Sequence, residues 1–237
     1  MIKFNALQIV QQVAGELGFP KPNVAMSALD GTTRQLVSLL QSAGYELSLY
    51  YNWPDLKTIW QFATTGVDQY ALPADWSYFV DQTQWDQTSR WPLMGPKSSQ
   101  EWAWLKSGVV AQGPRTRYRV VANTLYLHPT PSSPLTLYFE YIRNTWVIDK
   151  NGVYANQIVY DEDIPQFDAW LLIKFLKLKL WQVKGFDTTA FMDDFLRVFD
   201  AQTGKSAGAP ILSMARRVPS MLIGGHNIPD GSWQVTP

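Results

Sequence analysis

The sequence predicts an α+β protein: a four-helix bundle-like domain, an inserted antiparallel β-sandwich-like domain and an extended C-terminal arm. Three observations predict it. Apolar residues recur at helical spacing near the start and again late in the 237-residue chain. Between them, over about residues 56–148, the apolar period is two. From about residue 204 the periodicity stops although the segment remains apolar. A β region lying mid-chain between helices long enough to pair has the layout of an insertion. The expected boundaries are 1–55 and 160–204 for the helical domain, 56–150 for the β domain and 205–237 for the arm.

Two helices open the chain. Leu7, Val10, Val13, Ala14 and Leu17 keep helical spacing and stop at Gly18-Phe19-Pro20. Ser27 is read as the N-cap of the second helix, with Asp30 favouring its N-terminal end. Leu29, Leu36, Leu39, Leu40, Ala43, Leu47 and Tyr50 form its stripe, and Asn52-Trp53-Pro54 ends it.

Strands follow. Trp60, Phe62 and Thr64 alternate with other residues, a turn at Gly66-Val67-Asp68-Gln69 leads into Tyr70-Ala71-Leu72, and Trp76, Tyr78 and Val80 continue the period. Ser98 and Glu101 have capping-box spacing, which predicts a short helix carrying Trp102, Trp104 and Leu105. Tyr118–Val121 and Leu125–Leu127 flank a tight turn at Ala122-Asn123, where Asn tolerates positive φ. After a proline-stiffened connection, Leu135, Leu137, Phe139 and Tyr141 share one face.

Helices then resume. Pro165 suits a first helical position, and the acidic run Asp161-Glu162-Asp163 before it complements a helix N-terminus. Phe167, Trp170, Leu171, Phe175, Leu178 and Trp181 predict a strongly apolar helix ending near Gly185. A last helix, from Thr188 to about Gln202, carries Phe191, Phe195, Val198 and Phe199 inward.

Beyond it lies an apolar tail with nothing local to pack on. Ile211, Leu212, Met214, Val218, Met221, Leu222 and Ile223 return about 1.5–3 kcal/mol each when buried. Ordering the backbone between them costs about 1–2 kcal/mol per residue. The sums nearly cancel, so the tail orders only against a surface presented to it: this protein's own core, or a neighbouring subunit. For a neighbour, Leu212, Met214, Met221 and Leu222 are the expected apolar anchors, and Arg216 and Arg217 the charged contacts.

Composition narrows the function. The 20 Lys+Arg balance 20 Asp+Glu, so general electrostatic capture of nucleic acid or of an anionic membrane is not indicated. Cysteine is absent, which removes disulfides and thiolate metal sites. No signal-peptide pattern is read in Met1-Ile2-Lys3-Phe4-Asn5, and residues 170–183 are interrupted by lysines, so a soluble globular protein is expected. Two histidines, His128 and His226, offer neither a metal set nor a Ser-His-Asp arrangement, and His128 reads as a surface or interface residue. No phosphate-binding glycine loop occurs. Asp161-Glu162-Asp163 is better read as structural than as a general acid/base pair. Asp193-Asp194 reads as solvated. Lys174, Lys177, Lys179 and Lys184 lie on a helix apolar around much of its girth, which suits packing on several sides better than a membrane surface. No enzyme and no cofactor are expected. With 11 each of Trp, Tyr and Phe, a carbohydrate-binding β-module is the alternative, resting on the Trp-rich β region; Trp60, Trp76 and Trp85, however, lie in alternating strands where at least one face is core, so burial is their expected fate.

The order of motifs carries a resemblance. A helix pair, Asn52-Trp53-Pro54-Asp55-Leu56, then Tyr70-Ala71-Leu72-Pro73-Ala74-Asp75-Trp76, resembles the head-to-tail adaptors of short-tailed bacteriophages, the tail tubular protein A or gatekeeper-type proteins. It continues through Tyr118-Arg119-Val120, Leu125-Tyr126-Leu127-His128-Pro129-Thr130-Pro131 and Ile164-Pro165, covering about residues 5–200. The resemblance implies a structural virion protein of the phage neck, assembled in the host cytoplasm. It also implies a self-associated, dodecameric ring that joins the portal protein to the tail nozzle or tail-fibre proteins. DNA would pass through its channel without specific binding, and no membrane is involved.

Overall fold

The computed structural model describes residues 2–108 and 115–206. In chain order the elements are α1 (Ala6–Glu16), α2 (Gly31–Tyr50), β1 (Lys57–Ala63), β2 (Gln69–Ala71), β3 (Trp76–Phe79), β4 (Trp85–Asp86), β5 (Trp91–Pro92) and α3 (Ser99–Lys106). They continue with β6 (Arg117–Val121), β7 (Thr124–His128), β8 (Thr136–Arg143), β9 (Val147–Ile148), β10 (Tyr154–Ala155), β11 (Ile164–Pro165), α4 (Ala169–Lys184) and α5 (Thr189–Ser206). The fold is α+β. Its described residues divide into two compact units, one from 2–57 with 142–206 and one from 58–141.

In the helical unit, α1 starts where Asn5 and Gln8 cap each other: Asn5 Oδ1 accepts the Gln8 N–H at 2.8 Å and Gln8 Oε1 accepts the Asn5 N–H at 3.1 Å. The second helix is capped by Asp30, not Ser27. Asp30 Oδ2 accepts the Thr33 N–H at 2.8 Å, while the Ala28 N–H bonds back to Ala25 in a turn of its own. Leu29 therefore falls before α2 and is 85 % exposed rather than part of its stripe. The helix α4 is the hub, packed against α1, α2 and α5. It begins at Ala169, because the Asp168 carboxylate caps it through the Trp170 N–H at 3.0 Å. Pro165 is consequently not a helical residue. It stands in β11, opposite Val147 of β9, and β9 also pairs antiparallel with β10. Gly185, at φ +72°, closes α4 in the left-handed conformation that glycine adopts without strain. The last helix runs to Ser206, past the expected end at Gln202 and through Gly204, since one glycine in a helix costs only about 1 kcal/mol. A continuous aromatic path fills this unit, in which Trp53 meets Phe167 and Phe199 edge-on and Trp146 stacks on Phe167.

The β unit is a sandwich. One sheet has the order β1-β8-β4-β5, with β3 also pairing to β8, and the other has the order β2-β7-β6. Period-two alternation sends Leu137 and Phe139 from the first sheet, and Tyr118, Leu125 and Leu127 from the second, into a shared core. Trp60, Phe62, Tyr70 and Phe79 pack around it. The β6–β7 hairpin has the expected two-residue turn: Val121 pairs with Thr124, and Ala122 and Asn123 sit at φ +49° and +57°. On the outer face of this second sheet lies α3, with its Ser98–Glu101 capping box in place. Trp102 meets His128 edge-on at 6.0 Å, and Lys106 bonds Asp68 at 3.2 Å. His128 is thus not a surface residue. The helix covers it to 8 % exposure, and that burial, with the charges of Lys106 and Arg117, holds its imidazole below the ordinary range.

Candidate partner interface

Burial in the helical unit is incomplete along one side. A groove of about 440 Å³ opens between α2 and α5 over α4, lined by Tyr50, Phe175, Leu178, Met192, Leu196 and Phe199 among others. Tyr50, Met192 and Leu196 remain 53 %, 41 % and 44 % exposed. Below them the aromatic stack is closed, with Phe175 parallel to Phe195 at 4.6 Å and edge-on to Tyr50 at 6.0 Å. The groove is an apolar slot beside a rigid floor, the arrangement that receives a side chain or segment from a partner. Tyr45 and Leu49 extend the exposed apolar surface along α2.

Charge is distributed as struts around that floor. Lys174 reaches Asp194 on α5 at 2.9 Å, Lys179 reaches Glu46 on α2 at 2.5 Å, and Lys177, itself buried, pairs with Glu16 on α1. Lys174, Lys177 and Lys179 thus point at three different neighbouring helices, the packing on several sides that the apolar girth of α4 implied. Asp194 is a paired group rather than a merely solvated one. Among the described residues no helix is long and apolar enough to cross a membrane, and no three metal-ligating side chains converge.

The Glu16 pair has a pH signature. Burial pushes the Glu16 carboxyl up, but hydrogen bonds from Lys177 and Gln12 and the Lys177 and Lys174 charges together outweigh it, leaving the group below its ordinary value of 4.5. A carboxyl lowered on folding contributes stability that is present above its unfolded pKa and lost as pH falls through the folded one. Thermal melts should therefore show Lys177→Met less stable than the parent at neutral pH, with the gap closing below pH 4.5. A gap that does not change with pH would show that the pair contributes nothing.

The sequence model of the SU10 adaptor protein family matches residues 4–210. The chain belongs to the SU10 adaptor protein family. The match spans both the helical and the β unit, and the family is one of phage structural adaptors. No curated protein matches the chain.

In this adaptor the residues singled out from sequence as contacts, Leu212, Met214, Arg216, Arg217, Met221 and Leu222, lie outside the described residues. The groove was not foreseen. Its signal was present: Met192, Phe195, Leu196 and Phe199 continue at i, i+3, i+4 and i+7, so α5 carries an apolar stripe wider than α4 alone can cover. The acidic run works as a tie rather than as a helix-dipole partner. Asp161 accepts the Ala25 and Met26 N–H groups, Asp163 accepts three others, and their carbonyls receive the Leu7 and Ala6 N–H groups at the start of α1. Of the three strand tryptophans expected to be buried, Trp60 stacks on Phe62 at 4.3 Å in the sandwich core and Trp76 lies edge-on to Phe79. Trp85 alone of the three is exposed, so they make no common platform.

Proposed function

We propose that this adaptor forms a dodecameric ring in the virion neck, of the tail tubular protein A or gatekeeper kind. It joins the portal protein to the tail nozzle or fibres and extends the DNA channel. The helical domain (1–55 and 160–204) meets ring neighbours and portal, the β domain (56–150) faces outward or downward, and the arm (205–237) contributes Leu212, Met214, Arg216, Arg217, Met221 and Leu222 to partner contacts. The observation that carries this reading is the family match across residues 4–210. Zero formal net charge supports it too, since a conduit that released DNA poorly would fail in ejection. The open groove supplies an apolar surface for assembly. The test is to size the full-length protein alone and after mixing with its phage's portal protein. A ring-sized complex on mixing is the expected result, with or without a monomer beforehand, and two species that elute separately at all ratios would refute it.

A further inference from the structure

We infer that the groove between α2 and α5 is the acceptor for the arm of the adjacent copy, which seats Ile211, Leu212 and Met214 over Leu196. This rests on the ring reading and names the surface through which the ring closes. A head-to-tail ring needs two unlike surfaces on each copy, and an apolar slot together with an apolar arm is such a pair.

The dimensions agree. From Met192 to Phe199 the helix rises about 10 Å. An extended chain from Ile211 to Met214 spans about 10 Å as well, with Leu212 and Met214 directed to the same side. Between Ser206, the last described residue of α5, and Ile211 the sequence reads Ala207-Gly208-Ala209-Pro210, and proline disfavours a helical conformation at the residue before it. Charge agrees too. Asp193 and Asp200 flank Leu196 at i−3 and i+4 on α5, with Arg197 between them on the same face, and Arg216 and Arg217 follow Met214 by two and three residues. Anchors seated in the slot bring the guanidinium groups to a helix face where carboxylates outnumber the one arginine. The half-exposed Met192 and Leu196 then become buried, which the described residues of one chain do not achieve.

The sequence contains no cysteine, so introduced thiols report without background. Full-length Leu196→Cys and Leu212→Cys are mixed, assembled with portal, oxidised and resolved without reductant. A covalent dimer from the mixed single variants is expected, as is a ladder of higher multiples from the double variant. Met192→Cys in place of Leu196→Cys should behave in the same way, which guards against one unfavourable thiol geometry. A double variant that closes only within one chain shows the arm in its own groove and overturns the inference. A ring that sizes normally but forms no disulfide with either acceptor position overturns it while leaving the ring reading intact. If no ring forms at all, both fall.

Discussion

Gly44→Ala will destabilise the helical unit although the substitution raises helix propensity. Gly44 lies inside α2, where exchanging glycine for alanine ordinarily gains about 1 kcal/mol. Here a Cβ would stand 2.2 Å from two carbons of the Trp146 six-membered ring and 2.6 Å from a third. The ring cannot retreat easily. Trp146 is fully buried and stacked on Phe167, and close packing holds its ring in place. Overpacking of this kind costs about 1–3 kcal/mol and sometimes more, which exceeds the propensity gain. The clashing atoms belong to the part of the indole that phenylalanine lacks, so the sign can be checked within one cycle. Trp146→Phe alone leaves a cavity and is destabilising. Combined with Gly44→Ala it should cost less than the sum of the single changes, because the new methyl enters the vacated space. Thermal melts of the four proteins decide it. A Gly44→Ala protein that melts above the parent, or strictly additive effects, would show that the approach of α2 to Trp146 is not the constraint.

Glycine 44 also shows where the sequence was legible. Helix α2 was readable from its apolar stripe, and so were α1 and α5, while α3 was readable from its capping-box spacing and α4 from apolar residues around much of its girth. The hairpin at Ala122-Asn123 was readable because a two-residue turn demands positive φ at both positions. The α+β class followed from the change of period. Legibility failed where a residue's role depends on a distant chain segment. Pro165 looks like a helix start until Val147 pairs with it. His128 looks solvated until α3 lies over it. Ser27 and Asp30 are both good caps, and only the turn between Ala25 and Ala28 selects the second. Gly204 looks like a stop, yet α5 runs through it.

The candidate interface was less legible for a related reason. The apolar tail stands out in the sequence by having no local partner there, whereas the groove is built from residues that each look like ordinary core positions. Phe195 and Phe199 turn inward as the stripe predicts, but Met192 and Leu196 on the same stripe stay open because no other described element covers them. An apolar stripe in excess of its partners is therefore the sequence signal for an acceptor surface, and α5 has one.

Asp163→Ala should be the most damaging single change outside the apolar core. The Asp163 side chain is buried to 0 % exposure, and its two oxygens accept the backbone N–H groups of Lys150 at 3.1 Å, Val159 at 2.7 Å and Tyr160 at 2.8 Å. Alanine leaves these donors facing a void. A buried donor without an acceptor costs about 1–3 kcal/mol, and bonds to a charged acceptor are the stronger kind. Even with partial relaxation the loss is about 3–6 kcal/mol, comparable with the whole stability of many domains. The damage spreads because the same residue's carbonyl accepts the Ala6 N–H, tying the first turn of α1 to this loop. Asp163→Asn separates charge from geometry: it retains one acceptor oxygen but turns an NH₂ toward the remaining donors, so it should fall between alanine and the parent. Denaturant titration gives the ranking, and amide exchange at Lys150, Val159 and Tyr160 locates it. If Asp163→Ala unfolds at the parent's midpoint with those three amides still protected, the acidic run is not the tie that joins α1 to the loop before α4.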